Sequence, residues 1–153
     1  MARRVIANNL LLDQASQLVA SGKEVQIPTK GSSMFPFIVG GKDTLVLIEP
    51  SNLAIGDIVL AKINDTSYVV HRIIEINAEQ ITLMGDGNIV GRETCSTSQV
   101  TAKVKSIMRN GKEINCASPR QKKRAKLWRT LLPIRRYILG IWRRTPFWPF
   151  RTI

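Results

Sequence analysis

Ser33 and His71 are the residues of this chain whose types and settings suit covalent chemistry. Ser33 lies in the run Lys30-Gly31-Ser32-Ser33-Met34-Phe35-Pro36, just after a Gly-Ser turn and just before an apolar Met-Phe-Pro-Phe-Ile stretch. On such a turn a hydroxyl can stand exposed beside a free backbone N–H, which meets a nucleophile's needs for access, a base and an oxyanion donor. His71 is the only histidine and falls inside the otherwise apolar Tyr68-Val69-Val70-His71-Arg72-Ile73-Ile74. A neutral imidazole held on a rigid strand is a candidate general base. Each residue also has an ordinary structural explanation: serine-rich turns before proline are common, and a strand histidine is often a core residue satisfied by one hydrogen bond. Two further segments stand out. Gly56-Asp57-Ile58-Val59 reads as a turn entering a strand, and Gly85-Asp86-Gly87-Asn88 as a hairpin turn.

Other chemistries find little support. The two cysteines, Cys95 and Cys116, form no CxxC pair, so a disulfide framework and a cysteine-rich zinc site are excluded. They read as free thiols of a reducing compartment. One histidine cannot build a histidine-cluster metal site, and no metal or cofactor is expected.

The elements that must position these residues follow from periodicity. Residues 5–20 read as a helix, with Ile6, Leu10, Leu11, Ala15, Leu18 and Val19 loosely on one side and Gly22 as its stop. From 24 to 108 the pattern changes to short β-branched runs, with strands expected at 24–27, 44–49, 57–63, 68–76, 80–84 and 101–108. Turn signals separate them, among them Gly40-Gly41, Asn64-Asp65 and Asn110-Gly111. The fold class is therefore mainly β, a folded sheet or partly closed barrel with an N-terminal helix and a C-terminal basic amphipathic helical tail. The divisions are 1–23 for the helix, 24–118 for the β domain and 119–153 for the tail.

The charge is divided as sharply as the pattern. Residues 1–119 hold 12 Lys/Arg against 11 Asp/Glu, whereas residues 120–153 hold 11 Lys/Arg and no acid. In the tail, Leu127, Trp128, Leu131 and Leu132 recur at helical spacing, and Ile134, Tyr137, Ile138, Ile141 and Trp142 repeat the pattern after Pro133, which fits the first position of a second helix. A basic amphipathic helix with tryptophans, here Trp128, Trp142 and Trp148, suits an anionic membrane surface. The partner expected for residues 120–150 is therefore lipid rather than nucleic acid, because phosphate binding does not require the apolar stripe. The chain shows no cleavable signal peptide and no run long enough to span a bilayer. Positive charge is favoured on the cytoplasmic side, so a peripheral position on the inner face of the cell membrane is expected.

Taken in order, the GSSMxP run, the GD-I-V strand, H-R-I and GDGN closely resemble the signal peptidase family in its serine–histidine branch, found in the endoplasmic reticulum, archaea and some bacteria. The resemblance covers about residues 24–108. It implies a signal peptidase-like fold, shared with self-cleaving repressors, and a serine endopeptidase that cleaves a leader or precursor peptide at or near the membrane. Ser33 matches the nucleophile, His71 the base, Asp86 the aspartate of the GD-x-N motif, and Gly56 and Asp57 a structural box. The Ser33 backbone N–H is the expected oxyanion donor. The implied cleavage preference is for small residues at the first and third positions before the cut, and the peptide or precursor protein is the implied partner.

Three departures accompany the match. Eukaryotic members usually carry a second aspartate six residues after the GD aspartate, where this chain has Arg92; Glu93 is adjacent but on a strand would face the other way. The usual N-terminal transmembrane helix is missing. Many bacterial relatives have a hydroxyl residue two places before the nucleophile, where this chain has Gly31. These leave Asp86, or no acid at all, to orient His71. Two rival readings stand beside the peptidase: a catalytically decayed fold serving as a binding module, and a self-cleaving regulator, for which the roughly 23 residues before the first strand are short of a DNA-binding domain.

Overall fold

The computed structural model describes residues 2–146, 148 and 149, with side chains from Asn9 onward. The side chain of Ile6 and the tail residues Phe147 and Phe150 lie outside that set. Helix α1 (Ala2–Ala20) is followed by strands β1 (Val25–Pro28), β2 (Thr44–Ile48), β3 (Ile58–Asn64), β4 (Ser67–Asn77), β5 (Gln80–Met84), β6 (Glu93–Ser96), β7 (Val100–Arg109) and β8 (Lys112–Asn115). Helices α2 (Pro119–Thr130) and α3 (Arg135–Arg143) close the described chain. All eight strands form one antiparallel sheet in the order β1-β2-β7-β3-β4-β5-β6, with β8 also paired to β7. The mainly β expectation holds at this level. The sheet does not close on itself. The path of β7 explains the arrangement: β2 runs along one edge, while β3 and then β8 share the other.

Strand β3 is buried on both faces, and its sequence is a continuous Ile58-Val59-Leu60-Ala61 run rather than an alternation. Ile58 and Leu60 join a core with Ala15 and Val19 of α1 and with Leu45, Leu47 and Ala102. Val59 and Ala61 join a second core with Ile73, Ile81, Leu83 and Cys95. Burying each such aliphatic side chain is worth about 1.5–3 kcal/mol. Polar contacts fix α1 against the sheet: the Asp13 carboxylate accepts from the Tyr68 hydroxyl and from Lys62 Nζ at 3.1 Å, and Ser16 Oγ bonds Thr101 Oγ1 at 3.0 Å. The Tyr68 bond, and then Lys62, hold the Asp13 carboxyl below the usual carboxylate range.

The C-terminal helices pack onto this body. Ser118 caps α2, its Oγ accepting from Gln121 N at 3.3 Å, with Pro119 in the first turn. Pro133 sits within a 3-10 turn at Leu132–Ile134, so α3 begins two residues later than the proline rule suggested. The tryptophans expected at a lipid interface turn inward instead. Trp128 is buried, and Trp142 and Trp148 meet the Phe35 ring edge-on, with centroids 4.7 and 4.8 Å away. No helix among the described residues is long and apolar enough to cross a membrane.

Candidate active site

Three chain segments meet at the site: the turn carrying Ser33, the middle of β4 and the loop joining β5 to β6. Lys30–Pro36 leaves β1 and folds back through the bonds Phe35 N to Ser32 O (3.1 Å) and Ile38 N to Met34 O (2.9 Å). Met34, Phe35 and Ile38 are buried, so the apolar stretch after Ser33 anchors the turn. Phe35, Phe37 and Ile38 pack inward. Ser33 itself remains half-buried.

The Gly85–Asn88 loop lies directly on that turn. Gly87 N donates to Ser33 O at 2.8 Å, and Asp86 N approaches Met34 Sδ at 3.4 Å. The two glycines make this approach possible. A Cβ at Gly87 would stand 2.3 Å from Ser32 O, and one at Gly85 would stand 2.3 Å from Ser33 O and 3.1 Å from His71 Nε2. The hairpin reading of GDGN thus captures only half of its role, because the loop is also the surface against which the serine turn is set.

His71 lies opposite Val59 of β3, and the β4–β5 register, with Arg72 opposite Met84, carries Gly85 alongside it. Its Nδ1 is 2.8 Å from Glu93 Oε2. A carboxylate there is best met by an N–H, so the neutral ring carries its proton on Nδ1 and leaves the Nε2 lone pair toward the Ser33 turn. The expectation that Glu93 faces away is reversed. The segment before it is a loop, and β6 begins at Glu93 itself, whose direction follows from its pairing with Leu83. Arg92 is exposed in that loop.

Asp86 takes a different part from the one considered for it. Both of its carboxylate oxygens are occupied by Arg72, with Nε to Oδ1 at 2.8 Å and Nη2 to Oδ2 at 2.7 Å, and both side chains are buried. Arg72 Nη1 also donates to Gly56 O at 2.7 Å, and the guanidinium lies 4.7 Å from the Phe37 ring centre. Asp57 accepts from Ala54 N at 2.9 Å and closes the turn before β3, a structural role as expected. Trp128 Nε1 donates to Asp86 O at 2.8 Å, and Arg135 donates to Asn88 O and Trp128 O at 3.2 Å each. Burial pulls Arg135 below the ordinary guanidinium range, with the Asp86 charge opposing that shift. The loop that sets Ser33 is therefore clamped by Arg72 on one side and by the C-terminal helices on the other. Sequence reading missed this clamp; its available signal was an arginine inside an apolar strand, which demands a buried carboxylate.

Ser33 and His71 line one cleft of about 300 Å³, walled by Leu11 and Leu12 of α1, Ile27 and Pro28 of β1, Met34 and Tyr68. Its lining is chiefly apolar, suiting an extended peptide with small or aliphatic side chains. The Ser33 amide donates no hydrogen bond to any described residue, and neither does its hydroxyl. Gly31 has φ +77°, a conformation that favours glycine over a residue with a side chain. Among the described residues no group of three or more potential ligands is placed to hold a metal ion. No family model matches this chain, and no curated protein matches it either.

Proposed function

We propose that this chain is a serine endopeptidase of the signal peptidase-like, serine–histidine type, with Ser33 as nucleophile, His71 as base and Glu93 as the residue that orients the imidazole. The observation that carries this reading is the 2.8 Å contact between His71 Nδ1 and Glu93, with the opposite ring nitrogen beside the Ser33 turn. This arrangement supports a base held by an orienting acid beside a candidate nucleophile, the set that acyl transfer needs. The fold family belongs to the same proposal, supported by the order of motifs along the chain and by the open antiparallel sheet that presents them.

As a peptide fills the cleft, the Ser33 hydroxyl turns to His71 Nε2 and attacks the scissile carbonyl while Nε2 takes its proton. Glu93 stabilises the imidazolium through the Nδ1 proton. The unengaged Ser33 N–H receives the oxyanion. His71 then protonates the departing amine, and the acyl-enzyme is released when His71 deprotonates an attacking water.

A diverse peptide library read by mass spectrometry tests the proposal. The wild type is expected to cut after small residues at the first and third positions before the bond, and Ser33→Ala is expected to make no cut. His71→Ala should lower the rate by roughly 10²–10⁴-fold. Glu93→Gln should lower it by about 10²-fold or more, since an amide carbonyl holds the ring less firmly and offers it no charge. Cuts that survive Ser33→Ala reject the nucleophile. Peptides retained but never cut by the wild type favour the decayed binding module.

A further inference from the structure

The inward turn of the tryptophans leaves a different set of apolar residues outside. Leu127, Ile134, Tyr137 and Ile141 are 59, 47, 63 and 68% exposed. The last three follow the i, i+3, i+7 spacing that aligns side chains along one face of a helix. Around them the cations of residues 120–144 are mostly exposed, as at Lys123, Lys126, Arg136 and Arg144, and no acid occurs in the segment. None of these four pairs with a described acid. A second exposed apolar tip lies in the loop that bonds the start of α3. Val90 is 80% exposed and Ile89 is partly so, in the loop after Asn88, whose carbonyl accepts from Arg135 at the start of α3. That loop continues through exposed Arg92 into Glu93.

We propose that this face, formed by the outer side of α3 with the Ile89–Val90 tip, docks on an anionic lipid surface. Cations in a segment without acids complement the headgroup charge, and the large aliphatic and aromatic side chains between them gain by leaving water for the acyl boundary. A nucleic acid would satisfy the charge but would leave Ile134, Ile141 and Val90 in water or against phosphate. Docking would hold the β5–β6 loop, and with it Glu93 and the cleft, at the membrane surface. The inference stands apart from the proposed peptidase activity, because lipid binding is read without catalysis.

Co-sedimentation of the full chain with vesicles tests it. Vesicles of phosphatidylcholine with about a third phosphatidylglycerol should bind the protein at least tenfold more tightly than phosphatidylcholine alone. The variant Ile134→Ser/Tyr137→Ser/Ile141→Ser should lose about tenfold or more in affinity. The variant Arg136→Gln/Arg144→Gln should lose roughly fivefold per cation removed. All these positions are exposed, and an unchanged thermal unfolding midpoint confirms that each variant is folded. Failure to bind anionic vesicles overturns the proposal. So does binding that ignores the apolar triple substitution and is displaced by a short duplex, which would identify a polyanion site instead.

Discussion

Gly85→Ala tests the architecture of the site without altering any group assigned to the chemistry. A Cβ at this position would stand 2.3 Å from the Ser33 carbonyl oxygen, 2.8 Å from Asn88 Nδ2 and 3.1 Å from His71 Nε2. Carbon–oxygen contacts normally begin near 3.3 Å, so the shortfall at the Ser33 carbonyl is about 1 Å. That carbonyl is backbone, held from the other side by Gly87 N at 2.8 Å, and cannot swing away as a side chain would. The loop and the serine turn must therefore separate. Overpacking of this kind costs about 1–3 kcal/mol, and the strained Gly87–Ser33 bond adds about 0.5–1.5 kcal/mol. We expect a loss of about 2–4 kcal/mol in urea unfolding. Displacing a nucleophile by about 1 Å from its base costs roughly 10²-fold in rate, so phosphonylation of Ser33 by a fluorophosphonate, with loss of fluoride, should slow by that factor in protein still folded. Gly91→Ala is the control, since a Cβ there meets nothing within 4 Å, and it should change neither quantity. A Gly85→Ala protein that unfolds at the parent's midpoint and labels within twofold of the parent's rate would refute the loop-on-turn account.

Asp86→Asn should separate the roles of the two carboxylates: it breaks a buried bidentate pair and so should cost about 3–5 kcal/mol of stability, yet leave the pH dependence of residual activity unchanged, whereas Glu93→Gln should leave stability nearly intact and depress the rate. Cys116 gives a pH test, because burial pushes its thiol up to about 11 from an ordinary 9.0. The folded state keeps a proton that the unfolded chain releases, so this contribution is fully present below pH 9 and is lost as pH rises from 9 toward 11, by up to about 2–3 kcal/mol. Chemical denaturation at pH 8 and pH 10.5 should show that slope in the parent and a flatter one in Cys116→Ala.

What the sequence made legible was whatever local chemistry decides. The helix stop near Gly22 and the strand entered from the Gly56-Asp57 turn follow from neighbouring residues alone. Strands β6 and β8 escaped notice because Glu93-Thr94-Cys95-Ser96 and Lys112-Glu113-Ile114-Asn115 are four-residue segments with one apolar-type side chain each. They become strands because β5 and β7 offer open edges, which is a tertiary circumstance. Facing Glu93 away from His71 assumed a strand that ran on through residues 92 and 93. With 89–92 in a loop, alternation restarts at Glu93. The tail's tryptophans were misplaced for a related reason: helical spacing shows that a stripe exists but not whether lipid or the protein's own Phe35 will cover it.

The two carboxylates illustrate how a sheet assigns work. His71 and Arg72 are consecutive on β4, so their side chains leave opposite faces of the strand. One finds Glu93 and the other Asp86, and both of those acids belong to the segment between the end of β5 and the start of β6. Asp86, buried with each oxygen held by a guanidinium, has no lone pair aimed at an imidazole. Glu93 is partly exposed and offers its Oε2 to His71. A one-residue slip of β4 would place arginine where His71 now meets Glu93. The clamp of Arg72, Asp86, Gly56 and Trp128 therefore fixes the β5–β6 loop and keeps the histidine facing the Ser33 turn.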